Sequence, residues 1–398
     1  LLVGIHYAVQ VLRPRFGYGA DVGGRSTPWI VGGVVVLAIG GLLAAVATAW
    51  LAHTRVPGVL LAGLGFLFIG VGVGASGTSL LVLLSRRVRA ERRAAAASTT
   101  WLMMIMGFAI TAGVAGHFLD PYSPERLIAV MGTTALIAVA LTVLATAGLE
   151  GPAAVVEPAH REPAVPFREA LEEVWQEQEA RRFTIFVFVS MLAFSAQDLI
   201  LEPFAGAVFG YTPGESTQLA GLQHAGVLVG MLLVGGLARG GRSRERNGLL
   251  LGWIVGGCIA SALVLFALAI AGTVGPAWPL DLTVFALGIA VGGFSVAAIG
   301  SMMGLVRAGR ERREGTRMGL WGAAQGIAFG LGALVGTAAI DWTRQVFDAQ
   351  AIAYSVVFAA EGVLFLVSAW LAVWVEQAGG SKHALSGSPG GDLALDKV

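Results

Sequence analysis

The chain has 398 residues, 56% hydrophobic and 13% charged, with 57 glycines and a formal net charge of +1. A soluble domain carries about 25% charged residues, and the mean hydropathy of +0.76 puts long apolar runs in a bilayer, where each span takes roughly 20 residues. These figures exclude a water-soluble globule, continuous rather than alternating apolarity excludes a transmembrane β-barrel, and the near-zero charge makes no case for a nucleic-acid partner.

In chain order, apolar runs between charged clusters predict segments at 1–12, 28–51, 57–84, 98–118 and 126–149, then 183–210, 216–238, 247–272, 279–306, 316–340 and 351–375. The first is half a span that ends at Arg13-Pro14-Arg15, and it reads as the tail of a helix whose beginning is missing. Residues 1–149 are expected to form an N-terminal helical bundle. Residues 150–182 are a cytoplasmic linker, irregular around Glu157, Pro158, Pro163 and Pro166, with an amphipathic helix over 167–182. Residues 183–377 form a six-helix C-terminal bundle, and 378–398 form a disordered tail. The one cysteine, Cys258, lies inside an apolar run, which points to inert packing.

The 26 Lys and Arg residues are distributed unevenly. Loops after the first, third, fifth, seventh and ninth segments hold 21 arginines, and the tail adds Lys382 and Lys397. The opposite side has only Arg55, Arg126 and Arg344. The positive-inside rule places the Arg-rich side, and the C-terminus, in the cytoplasm. The halves also repeat: Arg25 matches Arg242, the Arg86 cluster matches the Arg307 cluster, and Asp120 matches Asp341, at offsets of 217, 221 and 221. Parallel six-helix repeats are the symmetry of the major facilitator fold. The expected fold class is an all-α polytopic membrane protein of that fold, with the first helix and part of the second missing. The loop with spacing Gly-x-x-x-Asp-x-x-Gly-Arg fits it. Gly17 allows a tight turn, Asp21 caps the next helix or pairs with an arginine, and Arg25 bonds helix C-terminal carbonyls, a gating arrangement.

Ionisable groups within the spans are costly there and need a partner or a purpose. Asp198 and Glu202 lie four apart on one helix face, followed by Pro203, which kinks or ends the helix. His224 enters from the opposite direction at a similar depth, so an Asp198–His224 contact is geometrically possible. Gln325 and Glu361 fall near mid-membrane and suggest a second polar tier, while His6 sits near the end of the truncated helix. Each group has two readings, contact with a substrate or proton, and interhelical hydrogen bonding. Gly322, Gly326 and Gly330, like Gly70 and Gly74, give small faces for close helix packing or a flat slot for a planar ligand. Nucleotide-binding loops, His/Cys metal constellations and nucleophile elbows are missing from the sequence, and the Arg-rich loops lack an aspartate-rich magnesium-diphosphate site. The expectation is therefore not an enzyme.

Three stretches resemble the bacteriochlorophyll-delivery (PucC/LhaA-type) light-harvesting-complex assembly proteins of the major facilitator superfamily: His6 to Gly17, Ser195 to Gly206, and Gly319 to Gly330. The Gln197-Asp198-x-x-x-Glu202-Pro203 core is the most specific, and the resemblance runs from Leu1 to about Trp374. It implies a multi-pass protein of the bacterial inner, photosynthetic intracytoplasmic membrane that holds bacteriochlorophyll or a precursor as cargo. Its implied partners are antenna polypeptides and pigment-synthesis enzymes. His6, Gln197, Asp198, Glu202 and Gln325 match the family's motifs. A chlorin magnesium takes one axial nitrogen or oxygen ligand, and His6 and His224 can each supply one; no separate metal site is expected. A proton-coupled secondary transporter of a small solute is the rival reading, motivated by Asp198, Glu202 and Glu361. A helical scaffold for antenna rings is a third.

Overall fold

The computed structural model describes residues 2–9, 25–51, 53–89, 93–150, 172, 175–237, 243–308, 314–347 and 350–386. Among these the chain forms eleven α-helices and one 3-10 turn, and no strand. The helices are α1 (Leu2–Val9), α2 (Thr27–Leu51), α3 (Arg55–Arg87), α4 (Arg93–Leu119), α5 (Pro124–Thr146) and α6 (Gln178–Phe209). They continue with α7 (Pro213–Leu237), α8 (Ser243–Val274), α9 (Leu280–Ala308), α10 (Glu314–Phe347) and α11 (Gln350–Ser386). All but α1 contain a stretch long and apolar enough to cross a bilayer, ten in total. With no water to take up backbone N–H and C=O groups, such segments must satisfy themselves as helices.

Two boundaries depart from the sequence reading. α6 begins at Gln178, inside the expected linker helix; most of 150–177 lies outside the described residues. α11 carries on through 378–386 in place of an irregular tail, and 387–398 lie outside the described residues. Extending an existing helix costs far less than nucleating one, so Gly379 and Gly380 do not stop it.

α1 packs against α3 and α10, α2 against α3 and α5, and α4 against α5 and α7. α6 packs against α10 and α11, α7 against α9, α8 against α9 and α11, and α10 against α11. Two of these pairs meet backbone to backbone. In α2–α3, a Cβ added to Gly33 or Gly72 would strike the opposite helix, and Gly40 and Gly65 make the same close approach. In α7–α9, Gly226 and Gly230 face the carbonyls of Phe285 and Ile289, while Gly288 and Gly292 face those of Gln223 and Val227. Van der Waals packing of this kind replaces the hydrophobic drive that lipid cannot supply between helices.

The dense core belongs to α6–α11. Trp321, Phe183, Phe186, Phe294 and Phe365 form a continuous run of ring contacts with centroids 4.8–6.3 Å apart, and Phe204 joins Phe358 and Tyr354 in a second cluster. All eight are essentially inaccessible. By contrast, α5 buries only Ala135 and Thr146 among its 23 residues.

Side chains pin the Arg-rich helix ends. Glu150, just beyond α5, accepts hydrogen bonds from the backbone N–H groups of Ser26 and Thr27, each 2.8 Å, and Arg25 donates to the Glu150 carbonyl. The carboxylate thus satisfies donors that the first turn of α2 leaves open. Partial desolvation pushes its pKa up, but those N–H bonds and the Arg25 charge outweigh it and hold Glu150 below the ordinary carboxylate range. Arg182 on α6 lies 4.1 Å from the Trp374 ring centroid and donates to the Trp374 carbonyl.

Replacing Gly292 with Val should destabilise the fold by about 1–3 kcal/mol, as overpacking does, because the added carbons meet the Val227 carbonyl; thermal unfolding in detergent measures this. Glu150→Ala should cost about 1 kcal/mol, as for a lost helix cap. A depressed folded pKa contributes stability above the unfolded value of about 4.3 and loses it as pH falls through the folded value. The gap between wild type and Glu150→Ala should therefore be full at neutral pH and close on acidification.

Candidate functional site

α6 presents two different faces through consecutive residues. Gln197 is fully enclosed, whereas Asp198 is accessible although protein surrounds it within the span. Asp198 therefore lines an opening inside the bundle. Glu202, one turn on, is half-buried on the same face and lies within Coulombic range of Asp198. Pro203 does not end the helix. It removes the N–H that would bond the Leu199 carbonyl, yet α6 continues to Phe209 and stops at Gly210, whose φ of +76° only glycine adopts freely.

His224 on α7 faces the same group and interacts electrostatically with Asp198. Its Nδ1 lies 2.8 Å from the Ala220 carbonyl oxygen. A carbonyl only accepts, so Nδ1 donates this bond, and Nε2 is the ring atom left for another partner. Phe108 on α4 packs edge-on against the imidazole at 5.4 Å.

The neighbouring joint between α4 and α7 is tight. Gly221 abuts Gly113 and Ala109, Gly116 abuts Gly214 and Gln218, and Asp120 closes the Arg-poor end by accepting a 2.9 Å hydrogen bond from the Thr212 hydroxyl. Thr212 also caps α7. Its hydroxyl accepts from the Glu215 N–H, and its own N–H donates to the Glu215 carboxylate, a reciprocal capping box with Pro213 at the first helical position. Nearby, Tyr211 donates to Asp281; burial first, then that bond and the Asp281 and Glu215 charges, push its pKa up to about 12.

The remaining expected residues fall elsewhere. Glu361 is sealed within the second half at 2% accessibility. Gln325 lies beside the Met191 sulfur at 3.7 Å, nearer the Arg-rich end than Glu361, so the two do not form the expected tier. His6 stacks edge-on with Tyr7 on α1, and Tyr7 contacts Phe329 and Gly330. Gly70 receives the α1 backbone at His6, whereas nothing faces Gly326 within 4 Å. Gly17 and Asp21 lie outside the described residues, while Arg25 bonds a carbonyl beyond the C-terminus of α5. Cys258 is free and buried. An apolar cleft of about 350 Å³ between α2 and α3, lined by Trp29 and Val71, includes none of Asp198, Glu202, His224 or Glu361 in its lining. Phe108, Glu150 and the role of Thr212 were not singled out from sequence, although Thr212-Pro213-Gly214-Glu215 is a readable capping signature.

Ten apolar spans and a carboxylate-lined opening define a multi-pass helical membrane protein. The chain belongs to the PucC protein family, whose profile matches residues 1–379. A Rhodobacter capsulatus protein named bacteriochlorophyll synthase 44.5 kDa chain is 48% identical over 380 residues, covering 96% of this chain and 87% of that one. Proteins named PucC from Rhodobacter capsulatus and Cereibacter sphaeroides are 27% and 28% identical, covering 95% and 92% of this chain and 85% and 82% of theirs.

A thiol scan checks the opening. A cysteine at Asp198 should react with a water-soluble maleimide in the folded protein, and one at Gln197 should react at least about tenfold more slowly, since reactivity follows exposure. Buried Cys258 gives little background.

Proposed function

We propose that the chain is a membrane assembly factor for bacterial light-harvesting complexes, and that it holds bacteriochlorophyll or a precursor in the opening beside Asp198, Glu202 and His224 before passing it to antenna polypeptides. Membership of the PucC family and the pigment in one relative's name support this reading. The observation that carries it is the bond from His224 Nδ1 to Ala220, which leaves Nε2 as the ring's ligand atom. A neutral imidazole nitrogen is a common metal ligand, and a chlorin magnesium needs one such axial donor. The apolar macrocycle is at home among apolar helix faces, Phe108 included. In this reading the protein carries pigment without transforming it, and the synthase in the relative's name refers to a process it serves.

The proposal includes a major facilitator arrangement, with the Arg-rich ends and the C-terminus in the cytoplasm of the photosynthetic inner membrane. Helix pairing supports the repeat: α1–α3, α2–α3, α2–α5 and α4–α5 correspond, six helices on, to α7–α9, α8–α9, α8–α11 and α10–α11. The two pairs that join the halves, α1–α10 and α4–α7, correspond to each other. Proton-coupled solute transport is the second reading, favoured by the accessible carboxylate of Asp198.

The full-length protein in nanodiscs, titrated with a magnesium chlorin, should bind it saturably with a shifted absorption band. His224→Gly should weaken binding about tenfold or more, equivalent to ~1.4 kcal/mol, and free imidazole should restore it. No binding by the wild type, together with normal antenna levels in a deletion strain, overturns the proposal. A chemically altered chlorin recovered from the protein points to an enzyme. Solute uptake driven by a pH gradient and abolished by Asp198→Asn points to a transporter.

A further inference from the structure

The cleft between α2 and α3 opens at the surface near the Arg-rich end. Pro28, Trp29 and Gly32 on its α2 wall are exposed, and Val36, Val71 and Ala75 lie deeper. No polar side chain lines it. A Cβ added to Gly32 meets nothing within 4 Å, so that wall is open beside the ring of Trp29.

The size of the cleft selects what can enter it. From Pro28 to Val36 it runs about 12 Å along α2, and it holds about 350 Å³. A partner helix, at least about 10 Å across, takes up roughly 900 Å³ over that length. The space therefore excludes a helix and admits a single hydrocarbon chain.

Charge selects what lies above it. Across the glycine seam Gly33 meets Gly72 and Ser76, and Gly40 meets Gly65 and Ile69, so α2 and α3 run antiparallel. This register puts both Arg25 and Arg87 beyond Trp29 in the direction of the Arg-rich end, about one and about two and a half turns away. Arg25, Arg87 and Arg89 are exposed, and the described acid at this end of α2, α3 and α5 is Glu150. Glu150 already holds the first N–H groups of α2, so the helix terminus itself is taken. Arg25 gives one described hydrogen bond, to the Glu150 carbonyl, out of five N–H donors. Three cations against one carboxylate leave a net positive rim over an apolar slot, with an indole at the boundary where tryptophan sits between hydrocarbon and headgroups. Basic sites between membrane helices recognise anionic headgroups.

We propose that this end of α2 and α3 binds an anionic glycerophospholipid, with one acyl chain in the cleft beside Trp29 and the phosphate at Arg25, within the field of Arg87 and Arg89. The site is independent of the pigment reading.

Native mass spectrometry of the full-length protein tests this, after loading in detergent with equal amounts of phosphatidylglycerol and phosphatidylcholine of the same acyl chains. Phosphatidylglycerol should be retained at least about tenfold over phosphatidylcholine. Arg25→Gln, which keeps a donor for the Glu150 carbonyl, should cut that preference about fivefold. Gly32→Leu should abolish retention by filling the cleft. Gly252→Leu on α8, where an added Cβ also meets nothing within 4 Å, should leave retention unchanged. Equal retention of the two lipids, undiminished retention in Gly32→Leu, or an equal loss in Gly252→Leu would overturn the proposal. So would phosphate adducts without lipid, which assign the arginines to the free ion, or a dimer in place of the lipid adduct, which assigns the cleft to a second copy.

Discussion

A bilayer offers backbone groups no hydrogen-bond partner, and the other features of this protein follow from that constraint. Helices become the available element, and because lipid is as apolar as leucine, they must be joined by close contact. The glycine seams of α2–α3 and α7–α9 are that solution. They bring carbonyls of one helix against the Cα atoms of the next, a distance that any larger residue would forbid. Polar side chains then fall into three groups: those with a partner inside the protein, those at an opening, and those, such as Gln197 and Ser261, enclosed without one.

α6 divides these groups at a single peptide bond. Consecutive helical residues point about 100° apart, so Gln197 and Asp198 reach different surroundings without any break in the helix. The aromatic run from Trp321 to Phe365 and the cluster around Phe204 pack the enclosed side with buried rings. On the other side, the joint of α4 with α7 brings His224 toward Asp198 and fixes the imidazole through Ala220 and Phe108.

Composition and charge alternation were enough to read the spans, because apolar runs and arginine clusters are properties of single segments. Asp198 and His224 were read as neighbours because depth along a helix can be counted from its end. Rotation about the helix axis cannot be counted that way, since spans that are apolar all round carry no amphipathic face. Gln325 and Glu361 were expected to share a polar tier; the structure sets Gln325 beside Met191 of α6 and encloses Glu361 within the second half. Glu150 was unreadable for a different reason: its partners, Ser26 and Thr27, are over 120 residues away in sequence.

The two clamps at the Arg-rich end flank the long segment that joins the halves. Glu150 fastens its first residue to the start of α2, and Arg182 fastens α6 to α11 where the segment has just become helix. A capped helix terminus at the close of the first bundle and a guanidinium–indole contact at the opening of the second therefore tie off these ends within the bundles' own helices.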